Sequence, residues 1–150
     1  MKRFIPVFLL CAILATGTGW TTPQAAAIDE DSLISEQSDR ASTTLSSYSA
    51  DVVCYTPGQV TVSYNVSSKS LASKIGVSKI HIYNTSGQRL ITVTGSTSNG
   101  MMTTNAINFG GNKAISVASG TTCYAVVEFY ASTSSGSDTK TFQTTNITIP

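Results

Sequence analysis

Gln59-Val60-Thr61-Val62-Ser63-Tyr64-Asn65-Val66-Ser67 places Val60, Val62, Tyr64 and Val66 on one side of an extended chain and hydroxyl or amide residues on the other. A period of two over nine residues is the pattern of a strand with one buried and one wet face. Upstream, Leu45 to Tyr55 reads as a first strand, closed by Thr56-Pro57-Gly58, where Pro fixes φ and Gly permits the reversal. Downstream, Cys123, Ala125, Val127, Phe129 and Ala131 alternate with Tyr124, Val126, Glu128 and Tyr130. Both of its faces carry apolar or aromatic groups, which points to a central strand.

Between these anchors the chain offers further short runs and almost no helical periodicity. Lys69 to Gly76 reads as a helical turn or wide loop, and Val77 to Asn84 as a strand. Thr85-Ser86-Gly87-Gln88 turns the chain into Arg89 to Thr94. Ser96 to Thr104 is polar apart from Met101 and Met102, and reads as a loop. Asn105 to Phe109 and Ala114 to Val117 flank Gly110-Gly111, Ser132 to Asp138 forms a second loop, and Lys140 to Ile149 is the last strand. Turn signals at intervals of about 8–12 residues predict an all-β chain. The expected fold is an immunoglobulin-like or fibronectin III-like antiparallel β-sandwich of seven or eight short strands, with a small β-barrel as the alternative.

The ends read differently. Met1-Lys2-Arg3 precedes an apolar run from Phe4 to Ala15, and Ala25-Ala26-Ala27 supplies the small residues of a cleavage site, so residues 1–27 are expected to be a secretory signal peptide. The run spans only roughly 18 Å as a helix against a hydrocarbon core of about 30 Å, which argues against a membrane anchor. Cleavage after Ala27 gives a secreted chain without a membrane span. Residues 28–40 carry Asp29, Glu30, Asp31, Glu36 and Asp39, and read as an acidic, disordered leader. The folded domain is then 41–150, with six Lys and Arg against three Asp and Glu, dispersed along the chain. Cys54 and Cys123 remain once Cys11 leaves with the signal, and an oxidising compartment predicts one disulfide between them, with two free thiols as the alternative.

Ser119-Gly120-Thr121-Thr122-Cys123-Tyr124-Ala125-Val126-Val127-Glu128-Phe129-Tyr130-Ala131 resembles the penultimate strand of fibronectin type III-like domains. Those domains usually bury a Trp, whereas Trp20 here falls in the export segment, and the resemblance puts Tyr64 or Tyr124 in its place. Four pieces resemble small secreted proteins of unknown function from clostridia-like Gram-positive bacteria. They are Arg40-Ala41-Ser42 before Tyr48-Ser49-Ala50, Ile75-Gly76-Val77-Ser78-Lys79-Ile80 with Ile82-Tyr83, Gly100-Met101-Met102, and Tyr124 to Ala131. The likeness implies an exported single domain and brings no catalytic residues; the two cysteines fall outside its pattern.

The composition removes whole classes of chemistry. The 150 residues hold 22 Ser and 22 Thr, 11% charged residues and a net charge of +1, so electrostatic capture of nucleic acid is not expected. His81 is the one histidine, which excludes a multi-histidine metal site, and its place between Ile80 and Ile82 puts it on the polar face of a strand. Glu128 reads as a solvated acid or the cross-strand partner of a lysine. Catalytic residues, metals and cofactors are therefore not expected. Tyr83 and Tyr130 lie off the expected core face and, with Met101 and Met102 in the Ser96–Thr104 loop, are the candidate contact residues. The expected role is a monomeric, non-enzymatic extracellular binding module for a protein or glycan. The alternative is a protease-inhibitor-like protein using the Ser96–Thr104 loop as its wedge.

Overall fold

The computed structural model describes residues 42–150; the signal peptide and leader read from residues 1–40 lie outside them. Nine strands run in chain order: β1 (Leu45–Thr56), β2 (Gln59–Ala72), β3 (Lys74–Asn84), β4 (Arg89–Thr94), β5 (Met102–Thr103), β6 (Ala106–Ser116), β7 (Thr122–Thr133), β8 (Gly136–Gln143) and β9 (Ile147–Thr148). They form two sheets, one ordered β1-β2-β6 and the other β4-β3-β7-β8, with β5 added to β3 and β9 to β7. Every pairing is antiparallel. The two sheets stay separate and pack face to face, so the fold is a sandwich and not the barrel held as the alternative.

The alternation that opens the sequence reading supplies one inner face: Val60, Val62, Tyr64 and Val66 are at most 2% exposed. Ile75, Val77, Ile80 and Ile82 of β3 and Ala125, Val127, Phe129 and Ala131 of β7 face them, all fully buried. Each of the Val, Ile and Phe side chains among these contributes about 1.5–3 kcal/mol on leaving water. Tyr48 of β1 and Phe129 of β7 meet across the core with ring centroids 5.4 Å apart. Of the two tyrosines set against the missing Trp, Tyr64 lies in the core, where burial pushes its hydroxyl up from the ordinary tyrosine range.

Three boundaries differ from expectation. Lys69 to Gly76 is neither helix nor wide loop, because β2 continues to Ala72 and β3 begins at Lys74. Gly110-Gly111 does not divide two strands but lies inside β6. A side chain at Gly110 would meet Asn65 Oδ1 at 2.3 Å, and one at Gly111 would meet the Tyr64 hydroxyl at 2.9 Å. The expected last strand is divided between β8 and β9, and the Thr144 hydroxyl accepts the Ala125 N–H at 2.9 Å across that break.

The start of β1 is tied to the opposite sheet. The Asp138 carboxylate, on β8, accepts the Ser42 hydroxyl at 2.6 Å, the Thr43 hydroxyl at 3.2 Å and the Thr44 N–H at 2.6 Å. These hydrogen bonds, led by that from Ser42, lower the Asp138 carboxyl from 3.8 to about 2. Two rim strands also turn a lysine toward the interior side: Lys113 of β6 lies opposite core-facing Val62, and Lys140 of β8 lies opposite Phe129 and is buried. Among the described residues no helix is long and apolar enough to cross a membrane.

Candidate functional site

The outward side of the larger sheet carries the densest set of interacting polar and aromatic groups. Its geometry comes from the β3–β7 register, which sets Tyr83 opposite Tyr124, His81 opposite Val126, Lys79 opposite Glu128 and Gly76 opposite Tyr130. Between Val77 and Lys79 the register shifts by one residue. This bulge is why Val77 and Ile80, three apart, both point inward, and it frees Ser78 to turn toward β7.

Glu128 is the hub. One carboxylate oxygen accepts Lys79 Nζ at 3.5 Å and lies 3.4 Å from His81 Nε2, while the other accepts the Ser78 hydroxyl at 3.2 Å. On the far side of the ring, His81 Nδ1 lies 2.9 Å from Thr92 Oγ1 of β4. A neutral imidazole with its proton on Nε2 satisfies both contacts, donating to Glu128 and accepting from Thr92. Beside it, Tyr83 and Tyr124 stack with centroids 5.5 Å apart and planes 12° from parallel. His81 meets Tyr83 edge-on at 6.2 Å. Tyr83 and Val126 are 6% exposed and His81 9%, although this side of the sheet faces away from the core. Tyr124, Glu128 and Tyr130 are half-buried and form the part of the patch in reach of a ligand.

Ser78 bonds Glu128 and not the imidazole, and the hydroxyl that reaches the ring is that of Thr92, on the nitrogen opposite the acid. Thr92, His81 and Glu128 thus share the hydroxyl–imidazole–carboxylate order of a nucleophilic triad, with the two ring nitrogens exchanged, the carboxylate oxygen shared with Lys79 and the imidazole 9% exposed. Among the described residues no group of three or more His, Cys, Asp and Glu is placed to hold a metal ion.

Of the residues singled out from sequence, Tyr83 and Tyr130 lie on this face, at its two ends along the β3–β7 ladder. Glu128 pairs with a lysine, as read. His81 is on the outward face, as its alternation implied, but it is covered by its neighbours and not a free surface histidine. Met101 and Met102 are a correction. They are 0% and 6% exposed, because the segment is strapped along β3: Val77 N–H donates to Met101 O at 2.8 Å, and Met102 pairs with Gly76. The loop tip is closed on itself by Asn99, whose side chain accepts the Ser96 N–H at 2.9 Å and donates to Thr94 O at 2.8 Å. The Ser132–Asp138 loop shrinks to a tight turn, since β7 runs to Thr133 and β8 starts at Gly136. Cys54 and Cys123 are free thiols here, so the bridge read from sequence is not formed. The Cys54 thiol donates instead to Gln59 O at 2.9 Å.

Tyr124, set from sequence against the missing core Trp, is turned outward and half-buried beside Tyr83, and neither it nor Lys79 stood among the candidate contact residues. Their signal was parity: Tyr124 alternates with buried Cys123 and Ala125, so it had to share a face with Glu128 and Tyr130. Compared with known proteins, the chain matches no family model, no curated protein and no solved structure.

Proposed function

We propose that this chain is an exported, non-enzymatic binding module that engages an extracellular glycan or protein through the outward face of its larger sheet. The single observation behind this reading is that Tyr83, Val126 and His81 are packed to core-like burial on a face that looks outward. Side chains held that firmly lose little freedom when a ligand arrives, which is the main cost that preorganised sites avoid. Tyr124 and Tyr130 supply aromatic surface, and Glu128, Ser78 and Thr92 supply fixed acceptors and hydroxyls, a mixture suited to a polyhydroxylated or polar partner. Export rests on residues 1–27, read as a signal peptide. The inhibitor reading draws less support. Its wedge loop has its polar atoms bonded within the turn and its two large side chains buried, leaving little to insert into a protease cleft.

The test is a screen of the purified protein against surface glycans and envelope or host surface proteins, repeated with Tyr124→Ala and Glu128→Gln. Binding that falls at least about tenfold in both variants, roughly 1.4 kcal/mol or more, supports the reading. Binding unaffected by either change, or hydrolytic turnover abolished by His81→Ala, overturns it.

A further inference from the structure

A second chemical feature lies at one end of the core. The inner face of β1 is made by Val52, in the core cluster, with Tyr48, Ala50 and Cys54 partly buried against it, and that of β7 by Cys123, Ala125, Val127 and Phe129. β1 packs over β7 from the other sheet. Two observations fix the relative direction of these strands. The residues just before β1, Ser42 to Thr44, bond Asp138, which pairs with Ala131 near the end of β7. Further along β1, Tyr48 meets Phe129, two residues earlier in β7. The strands therefore run in opposite directions.

From the Tyr48–Phe129 contact, six residues forward along β1 reach Cys54, and six residues back along β7 reach Cys123. Equal steps at nearly equal rise per residue bring the two cysteines to the same level. The β1–β2 register shifts between Val53 and Thr56, yet Cys54 still packs against the core cluster that holds Cys123, so both lie on the inward face. The two thiols thus face each other between the sheets, in line with the influence of Cys54 on the Cys123 thiol, which is pushed up first by burial and then by that neighbour. Access is unequal: Cys123 is 1% exposed and Cys54 is half-buried at the strand end, bonded to the Gln59 carbonyl.

We propose that Cys54 and Cys123 are a disulfide-forming pair that staples the two sheets by exchange with an external disulfide, Cys54 reacting first and Cys123 closing the bridge. In the first step the Cys54 thiolate, its proton lost to solvent, attacks one sulfur of a disulfide such as glutathione disulfide. A mixed disulfide forms and one glutathione thiolate leaves. In the second step Cys123, losing its proton, attacks Cys54 Sγ, the inter-sheet S–S bond forms and the second glutathione leaves. Two protein thiols are oxidised and one external disulfide is reduced to two thiols. Cys54 gives up its bond to Gln59 O for the new bond. The bridge forms whether or not the outward face binds a ligand.

The experiment uses the full chain carrying Cys11→Ser, folded and incubated with glutathione disulfide. The expected product is a monomer that has lost two hydrogens in mass, with peptide mapping joining Cys54 to Cys123. In the same background Cys123→Ala should accumulate a glutathione adduct on Cys54, and Cys54→Ala should leave Cys123 unmodified over that time. Should either alanine variant fail to fold, pulse alkylation of the folded Cys11→Ser protein reads the same order, with Cys54 labelled several-fold faster than Cys123. A stable Cys54–glutathione adduct with Cys123 still free, cross-links only between molecules, or modification of Cys123 first would overturn the proposal.

Discussion

Removing the carboxylate that fastens the start of β1 to β8 tests how the sandwich is held at its first strand. In Asp138→Ala the Ser42 hydroxyl and the Thr44 N–H lose acceptors at 2.6 Å, and the Thr43 hydroxyl one at 3.2 Å. The drop of this carboxyl from 3.8 to about 2 would correspond to about 2.4 kcal/mol if none of it were screened, at about 1.4 kcal/mol per pKa unit. Asp138 is partly exposed, so solvent screening lowers the expected contribution to about 1–2 kcal/mol. For a domain of this size that is a fall in Tm of roughly 4–16 °C. The sign follows from the lowered folded-state pKa: the stabilisation is complete above the unfolded-state value near 4 and is lost as pH falls toward about 2. Urea denaturation followed by circular dichroism, at several values between about pH 7 and about pH 2, should show a gap between wild type and variant that holds down to about pH 5 and then narrows. A gap that stays constant to the acid end, or one below about 0.3 kcal/mol at neutral pH, would refute the reasoning that a charged clasp holds this strand.

Two further substitutions test the strap and the core. A side chain at Gly95 would meet the Val77 carbonyl oxygen at 1.8 Å, whereas at Gly100 nothing lies within 4 Å and only its positive φ of 72° opposes a side chain. Gly95→Ala should therefore cost about 3 kcal/mol or more and Gly100→Ala about 1–2 kcal/mol, and equal costs in urea denaturation would contradict the close approach of the strap to β3. Phe129→Ala, which empties the centre of the inner face and removes the partner of Tyr48, should lose about 3–5 kcal/mol by the same measurement; a loss under about 1 kcal/mol would mean that the two sheets do not meet there.

What could be read locally was read: the alternation of Val60 to Val66, the two-faced strand around Val127, and the turn at Thr85 to Gln88. The misreadings have tertiary causes. Lys69 to Ala72 is polar for a strand, with Leu71 60% exposed, yet the Lys69 N–H bonds the Thr44 carbonyl at 2.8 Å and Ser68 is buried with its hydroxyl on Ser70 O and Ile107 O. Gly110-Gly111 carries the local signal of a turn, and the reason for it lies on the neighbouring strand, where Asn65 and Tyr64 occupy the space of the missing side chains. Met101 and Met102 stood out as apolar residues in a polar loop, and what they signalled was anchorage. The site was legible by halves. Parity put Tyr83 and Tyr130 on an outward face, but the meetings of Tyr83 with Tyr124 and of His81 with Glu128 depend on a register between strands far apart in the chain, which no local pattern carries.

The lysines that β6 and β8 turn inward bear on how the molecule behaves in company. A strand arriving from another copy along either rim would meet an inward-turned lysine at the edge and draw its side chain further from water. That barrier works against sheet-to-sheet growth at both places, even where many copies crowd together. A domain whose proposed task is to hold on to something else is thereby discouraged from holding on to itself.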